Sequence, residues 1–159
     1  MPSENSLNPA KGRSFQNAAC EILSIHFKTE FVCDHPLPIG HPPKIHEFDL
    51  ASPDLKFVGE CKNYSWTRTG NIPSAKMAFL NEALLYLSHL PTQTTRFIAM
   101  RRDSHAKRSE SLADYYSRTY RHFLSDIQLL EIDVETRQVR RVSLDKLIPK
   151  NPTPDEAMA

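Results

Sequence analysis

Lys44-Ile45-His46-Glu47-Phe48-Asp49-Leu50 and Lys56-Phe57-Val58-Gly59-Glu60-Cys61-Lys62-Asn63 are the two stretches on which the fold turns. Both read as short extended segments, and Ser52-Pro53-Asp54 between them carries the residue types of a tight reversal. The pair predicts an antiparallel hairpin. A turn centred between Pro53 and Asp54 sets Asp49 opposite Val58 and Glu47 opposite Glu60, so Asp49, Glu60 and Lys62 share one face of a sheet. His46 alternates to the other face, in a structural role. Diagonal neighbours on one face stand about 7 to 8 Å apart at the backbone, a gap that two carboxylates close by binding a common cation. Without a cation, gathering Glu47, Asp49 and Glu60 is repulsive.

Outward from this hairpin the chain alternates helix and strand. Phe15, Ala18, Ala19, Ile22 and Ile25 recur at helical spacing between Arg13 and Lys28, with Ser14 as a candidate cap. Phe31 to Cys33 opens a strand, but the prolines from Pro36 to Pro43 cannot donate to a ladder, which confines that segment to an edge or a loop. Asn71 and Pro73 start a second helix whose apolar face is Met77, Leu80, Leu84 and Leu87, and Pro91 ends it. Residues 96–100 form a buried strand, residues 109–124 a third helix, and residues 127–134 and 137–142 two further strands around Glu135-Thr136. The order is α-β-β-β-α-β-α-β-β. A helix crossing between central strands requires parallel pairing, so the fold class is α/β: a mixed sheet with helices on both faces.

Length and composition are those of one domain: 159 residues, 40% hydrophobic. The polar residues 1–10 and the Pro-rich residues 149–159 are expected to be disordered tails around a domain of residues 11–148. Cys20, Cys33 and Cys61 are odd in number and widely spaced, which points away from a disulfide framework and toward a reducing, cytoplasmic setting. No stretch approaches the roughly 18 apolar residues of a membrane span. The net charge of +1 does not single out a polyanion as partner. Between Arg96 and Arg121, however, seven basic residues face three acidic ones, a candidate phosphate-facing surface. Four glycines give no phosphate-cradling loop, which excludes P-loop and dinucleotide-binding readings. His35 and His41 lack acids or cysteines at zinc spacing.

A strand carrying Asp49, a tight turn, then Glu60-Cys61-Lys62 and a helix together resemble the core of the PD-(D/E)xK, restriction-endonuclease-like nucleases. The literal Pro53-Asp54 dipeptide is a decoy, because it sits in the turn and too close to Glu60. The resemblance spans residues 13–134 and implies a three-layer α/β/α sandwich. It also implies metal coordination by the Cys61 carbonyl, an auxiliary acidic ligand at Glu21, products with 5′-phosphate and 3′-hydroxyl ends, and a homodimer when both strands of a duplex are cut.

The chemistry explains these residue types. Mg²⁺, or Mn²⁺ in its place, takes hard oxygen ligands, commonly one or two carboxylates with waters and phosphate oxygens; Asp49 and Glu60 are the candidates. Lys62 beside them would orient or activate the attacking water and stabilise charge on phosphorus. Lys76 near a helix N-terminus, Trp66 (a stacking platform, as Tyr64 could also be) and Arg101 and Arg102 are candidate nucleic-acid contacts. The leading expectation is a Mg²⁺-dependent nuclease acting on DNA. Two alternatives are a non-catalytic nucleic-acid-binding or assembly module on the same fold, and an unrelated α/β domain whose acids are merely solvated.

Overall fold

Alternating extended and helical segments with separate apolar faces leave one economical solution, a sheet between two helical layers. The computed structural model describes residues 4–142 and has that architecture. The elements are α1 (Glu4–Phe27), β1 (Val32–Ile39), β2 (Lys44–Ala51), β3 (Phe57–Lys62), α2 (Ser74–Ser88), β4 (Thr95–Arg101), α3 (Leu112–Leu124), β5 (Gln128–Asp133) and β6 (Gln138–Arg141). The strands lie in the order β1-β2-β3-β4-β5-β6. Pairs β3–β4 and β4–β5 are parallel and the others antiparallel, so the sheet is mixed and the element order is the expected one.

Each face of the sheet has its own core. Phe15, Ala19, Ile22 and Leu23 of α1 pack on Leu50, Phe97, Ala99, Leu130 and Ile132. Met77, Leu80, Leu84 and Leu87 of α2, with Leu112 and Tyr116 of α3, pack on Phe48, Val58, Ile98, Met100 and Leu129. The α1 stripe differs from expectation at its end: Ile25 is 72% exposed and Leu23 is buried in its stead. The helix also begins at Glu4, inside the stretch expected to be a tail; residues 149–159 lie outside the described residues. The caps differ from expectation: Ser14 lies inside α1, Pro73 rather than Asn71 is the N-cap of α2, and Ser111 caps α3. The Pro73 carbonyl accepts the first α2 amides, from Lys76 (2.9 Å) and Met77 (3.2 Å), and the Ser111 hydroxyl accepts the Asp114 amide at the start of α3 (3.2 Å). Among the described residues no helix is long and apolar enough to cross a membrane.

The β2–β3 register is two residues away from the predicted one. Leu50 pairs with Gly59 and Ala51 with Val58, because the reversal is wider than a two-residue turn. The Ser52 amide donates to the Phe57 carbonyl (2.9 Å), Leu55 adopts a positive φ of 57°, and the Ser52 hydroxyl donates to the Asp54 carboxylate (2.8 Å). A shift of two preserves the faces, so Asp49 stays with Glu60 and Lys62.

A second departure has larger consequences. Cys33 packs on the α1 side while Leu37 and Ile39 pack on the α2 side, although an even spacing should keep them together. In β2, Phe48 lies on the α2 side and Leu50 on the α1 side. Both strands therefore change face at one place, where Asp34 has φ 53° and lies between the pairs His35–Phe48 and Cys33–Leu50. The outer half of the β1–β2 hairpin rolls over toward α2.

Candidate functional site

Open α/β sheets bind ligands beyond the carboxyl ends of parallel strands, and here β3 and β4 end side by side. A cleft of ≈ 720 Å³ opens there, lined by Asp49, Cys61, Lys62, Asn63, Tyr64, Lys76 and Arg101, with Lys11 from α1. Glu60 sits one step deeper, only 4% exposed, against Asp49.

Asp49 is braced from two directions. One carboxylate oxygen accepts the Cys61 amide at 2.7 Å, so a side chain takes the place of a ladder bond where β2 and β3 part. The Asp49 carbonyl accepts Gln16 Nε2 at 2.9 Å, and the same amide group donates to Asp34 at 3.0 Å. Arg13 also donates to Asp34, at 2.8 Å, and these hydrogen bonds from Gln16 and Arg13 hold the Asp34 carboxyl below its usual range. α1 thus fixes the β2 backbone through Gln16.

Glu60 behaves differently. Burial, reinforced by the neighbouring Asp49 carboxylate, pushes its carboxyl up to about 9, while Lys62 opposes the rise. His46 Nε2 shares a hydrogen bond of 2.6 Å with Glu60 Oε1, and burial lowers the imidazole below its ordinary value. Both shifts favour a neutral pair with one proton between them. A divalent ion would relieve the carboxylate repulsion and displace that proton. Two carboxylates beside a backbone carbonyl are the kind of donor set that Mg²⁺ uses together with waters and phosphate oxygens. Among the described residues no cluster of three or more His, Cys, Asp or Glu side chains is arranged to hold a metal by itself.

The cations of the cleft are pre-positioned. Lys76 lies 5.2 Å from the Tyr64 ring centroid and 5.7 Å from that of Phe79. Arg101 donates to Asn63 (2.6 Å), Ser65 (2.7 Å) and Asp103 (3.2 Å), and Asn63 in turn donates to the Lys11 carbonyl at 3.2 Å. The Cys61 thiol points to the opposite face, into the α1-side core.

No protein-family model matches this sequence, and no curated protein matches it. Among solved structures the chain is similar to an fdxN element excision controlling factor protein from Anabaena variabilis. That likeness has a TM-score of 0.50 and 14% identity over 81% of this chain and 98% of that one, and it shows the fold. An XisH family protein from Nostoc punctiforme PCC 73102 gives a TM-score of 0.44 at 13% identity, again over 81% and 98% of the two chains.

Several sequence-based assignments need correction. Glu21 is not brought to the carboxylates: its side chain is 72% exposed and lies 3.7 Å from Arg137, because it projects from the outer side of α1. Gln16 is the α1 residue that reaches Asp49. Trp66 is no stacking platform, since it is 5% exposed and held between Tyr115 (5.5 Å) and the Arg108 guanidinium (4.4 Å). Arg102 lines hollows beside the cleft rather than the cleft itself, because consecutive residues at a strand end alternate in direction. His46, read as structural, meets Glu60. The proline-rich edge of β1 gave no sign that the hairpin would roll; only Asp34, a residue type that tolerates positive φ, marks the place.

Proposed function

We propose that this chain is a Mg²⁺-dependent phosphodiesterase of the PD-(D/E)xK type that hydrolyses DNA endonucleolytically. The observation that carries this reading is the meeting of Asp49 with Glu60 beside Lys62, in a cleft whose rim holds Lys11, Lys76 and Arg101. Mg²⁺, when bound, supplies Lewis-acid activation of the phosphate and of the attacking water. Asp49 and Glu60 would hold the ion, with the Cys61 carbonyl as a third oxygen donor. Lys62 orients the water and offsets the charge that develops on phosphorus. Lys76 and Arg101 take the flanking phosphates, Arg101 as a planar fork already fixed by Asn63 and Ser65. Cutting a duplex needs two such sites, which makes a homodimer the working unit on that substrate.

A second reading rests on a specific observation: Glu60 is buried against His46 with its carboxyl raised by that burial, and one Asp49 oxygen already accepts from the Cys61 amide. In that form the chain binds nucleic acid or an assembly partner without cutting. Such a role would be one of control, the part that the Anabaena variabilis protein has by its name, an excision controlling factor.

Plasmid and single-stranded DNA incubated with Mg²⁺ or Mn²⁺ separate the two. Cleavage by wild type that falls at least about 10²-fold in Lys62→Ala, and likewise in Asp49→Ala, supports the nuclease. Equal cleavage by the substituted proteins would remove the assignment. Binding without cleavage by wild type selects the second reading.

A further inference from the structure

We infer that His46 is a positioning residue for Glu60, and through it for the divalent cation of the proposed site. The inference rests on the nuclease reading and extends it to a residue outside the Asp-Glu-Lys set.

The two carboxylates are secured unequally. Asp49 is held at its carbonyl by Gln16 and at its carboxylate by the Cys61 amide. Glu60 lies against Asp49, which repels it once both are ionised, and the side chain able to donate to an ionised Glu60 is His46, at 2.6 Å. A glutamate has a longer, more rotatable side chain than an aspartate, so the rotation of its carboxylate depends more on that side-chain donor.

His46 is itself immobilised. Its ring stacks on Tyr86 of α2, centroids 3.9 Å apart and planes 16° from parallel, and meets the edge of Phe48 at 4.6 Å. Stacking alone would account for a half-buried ring beside α2; it does not require Nε2 to face the Glu60 carboxyl. With Glu60 ionised, as a cation ligand must be, the ring N–H donates to Oε1 and sets the rotation of the carboxylate. The chain of contact runs from the α2 surface through Tyr86 and His46 to Glu60. Its existence depends on the rolled hairpin, since regular alternation would have turned His46 away.

Outer partners of metal ligands typically change metal affinity by about 10- to 100-fold when removed. The experiment is Mn²⁺ binding by isothermal titration calorimetry to the full chain, with no DNA present. The proteins are wild type, His46→Ala, His46→Gln and Tyr86→Leu, and thermal melts run in parallel. Gln keeps an amide N–H able to reach Oε1. His46→Ala is expected to weaken Mn²⁺ binding about 10-fold or more, His46→Gln to recover most of that loss, and Tyr86→Leu to weaken binding in the same direction by a smaller factor. A purely structural histidine would lower the melting temperature in all three variants and leave affinity unchanged; that result overturns the inference. If His46→Ala does not fold, the Gln and Leu variants decide it: wild-type affinity in Tyr86→Leu, or a loss of about 10-fold or more in a well-folded His46→Gln, rejects positioning. Wild type that binds no Mn²⁺ removes the nuclease reading and this inference together. Wild-type binding with unaltered His46 variants removes the inference alone.

Discussion

At the residue scale, Glu60 carries an internal conflict. Its carboxyl ordinarily titrates at 4.5 and is raised to about 9 in the fold. Below about pH 4.5 folded and unfolded chains both keep the proton, so this group does not separate them. Above it the unfolded chain ionises while the folded one holds its proton, and stability falls progressively until the pH approaches 9. Glu60→Gln has nothing to ionise. In metal-free buffer this variant is expected to melt above wild type by a margin that widens from about pH 5 to about pH 8, and to have lost cleavage. A margin that is constant or shrinks with pH would contradict the assigned shift. Gln16 is the complementary case: it is buried and satisfies two acceptors, so Gln16→Ala leaves the Asp49 carbonyl without its side-chain donor and Asp34 with Arg13 alone. That should cost about 1–3 kcal/mol in denaturant melts, and cleavage should fall as the Asp49 backbone loosens.

At the element scale, β3 is a strand with no room for a bulkier residue at Gly59. Gly59 leaves room for the fully buried ring of Phe97, and a Cβ there would run into that ring. Gly59→Ala is therefore expected to destabilise the fold by about 1–3 kcal/mol through overpacking next to Glu60, read as a lower denaturation midpoint; an unchanged midpoint would mean that Phe97 has somewhere else to go. Elements were also where the sequence spoke most clearly. The α2 stripe Met77, Leu80, Leu84, Leu87 is buried as its spacing implies, and β2 to β6 fall within a residue or two of expectation, while β1 runs on to Ile39 as an edge strand through prolines that left edge and loop both open. Periodicity reports which face is apolar, and that information is local. The departures came from terms that are not local: the width of the Ser52–Phe57 reversal, and a change of face shared by β1 and β2 that neither strand shows alone. For the same reason Asp49, Glu60 and Lys62 were legible as a set, whereas His46 and Gln16, brought in by tertiary geometry, were not.

At the scale of the whole molecule, the near-zero net charge hides a polarised surface. Lys11, Lys62, Lys76 and Arg101 gather around one cleft from α1, β3, α2 and β4. DNA binding, measured on a cleavage-defective Lys62→Ala background, should therefore weaken steeply with salt. Adding Lys76→Ala should weaken it on all sequences alike and reduce the salt slope by about 1. An unchanged slope would place Lys76 outside the path of the phosphates.

The roll of the β1–β2 hairpin also bears on transplantation. A designer who grafts only the three charged residues onto a regular antiparallel hairpin would copy the ligands and leave the histidine stranded on the wrong side. Carrying the site elsewhere means carrying the left-handed aspartate at position 34 as well, because that kink, rather than any reactive group, is what makes the neighbourhood reproducible.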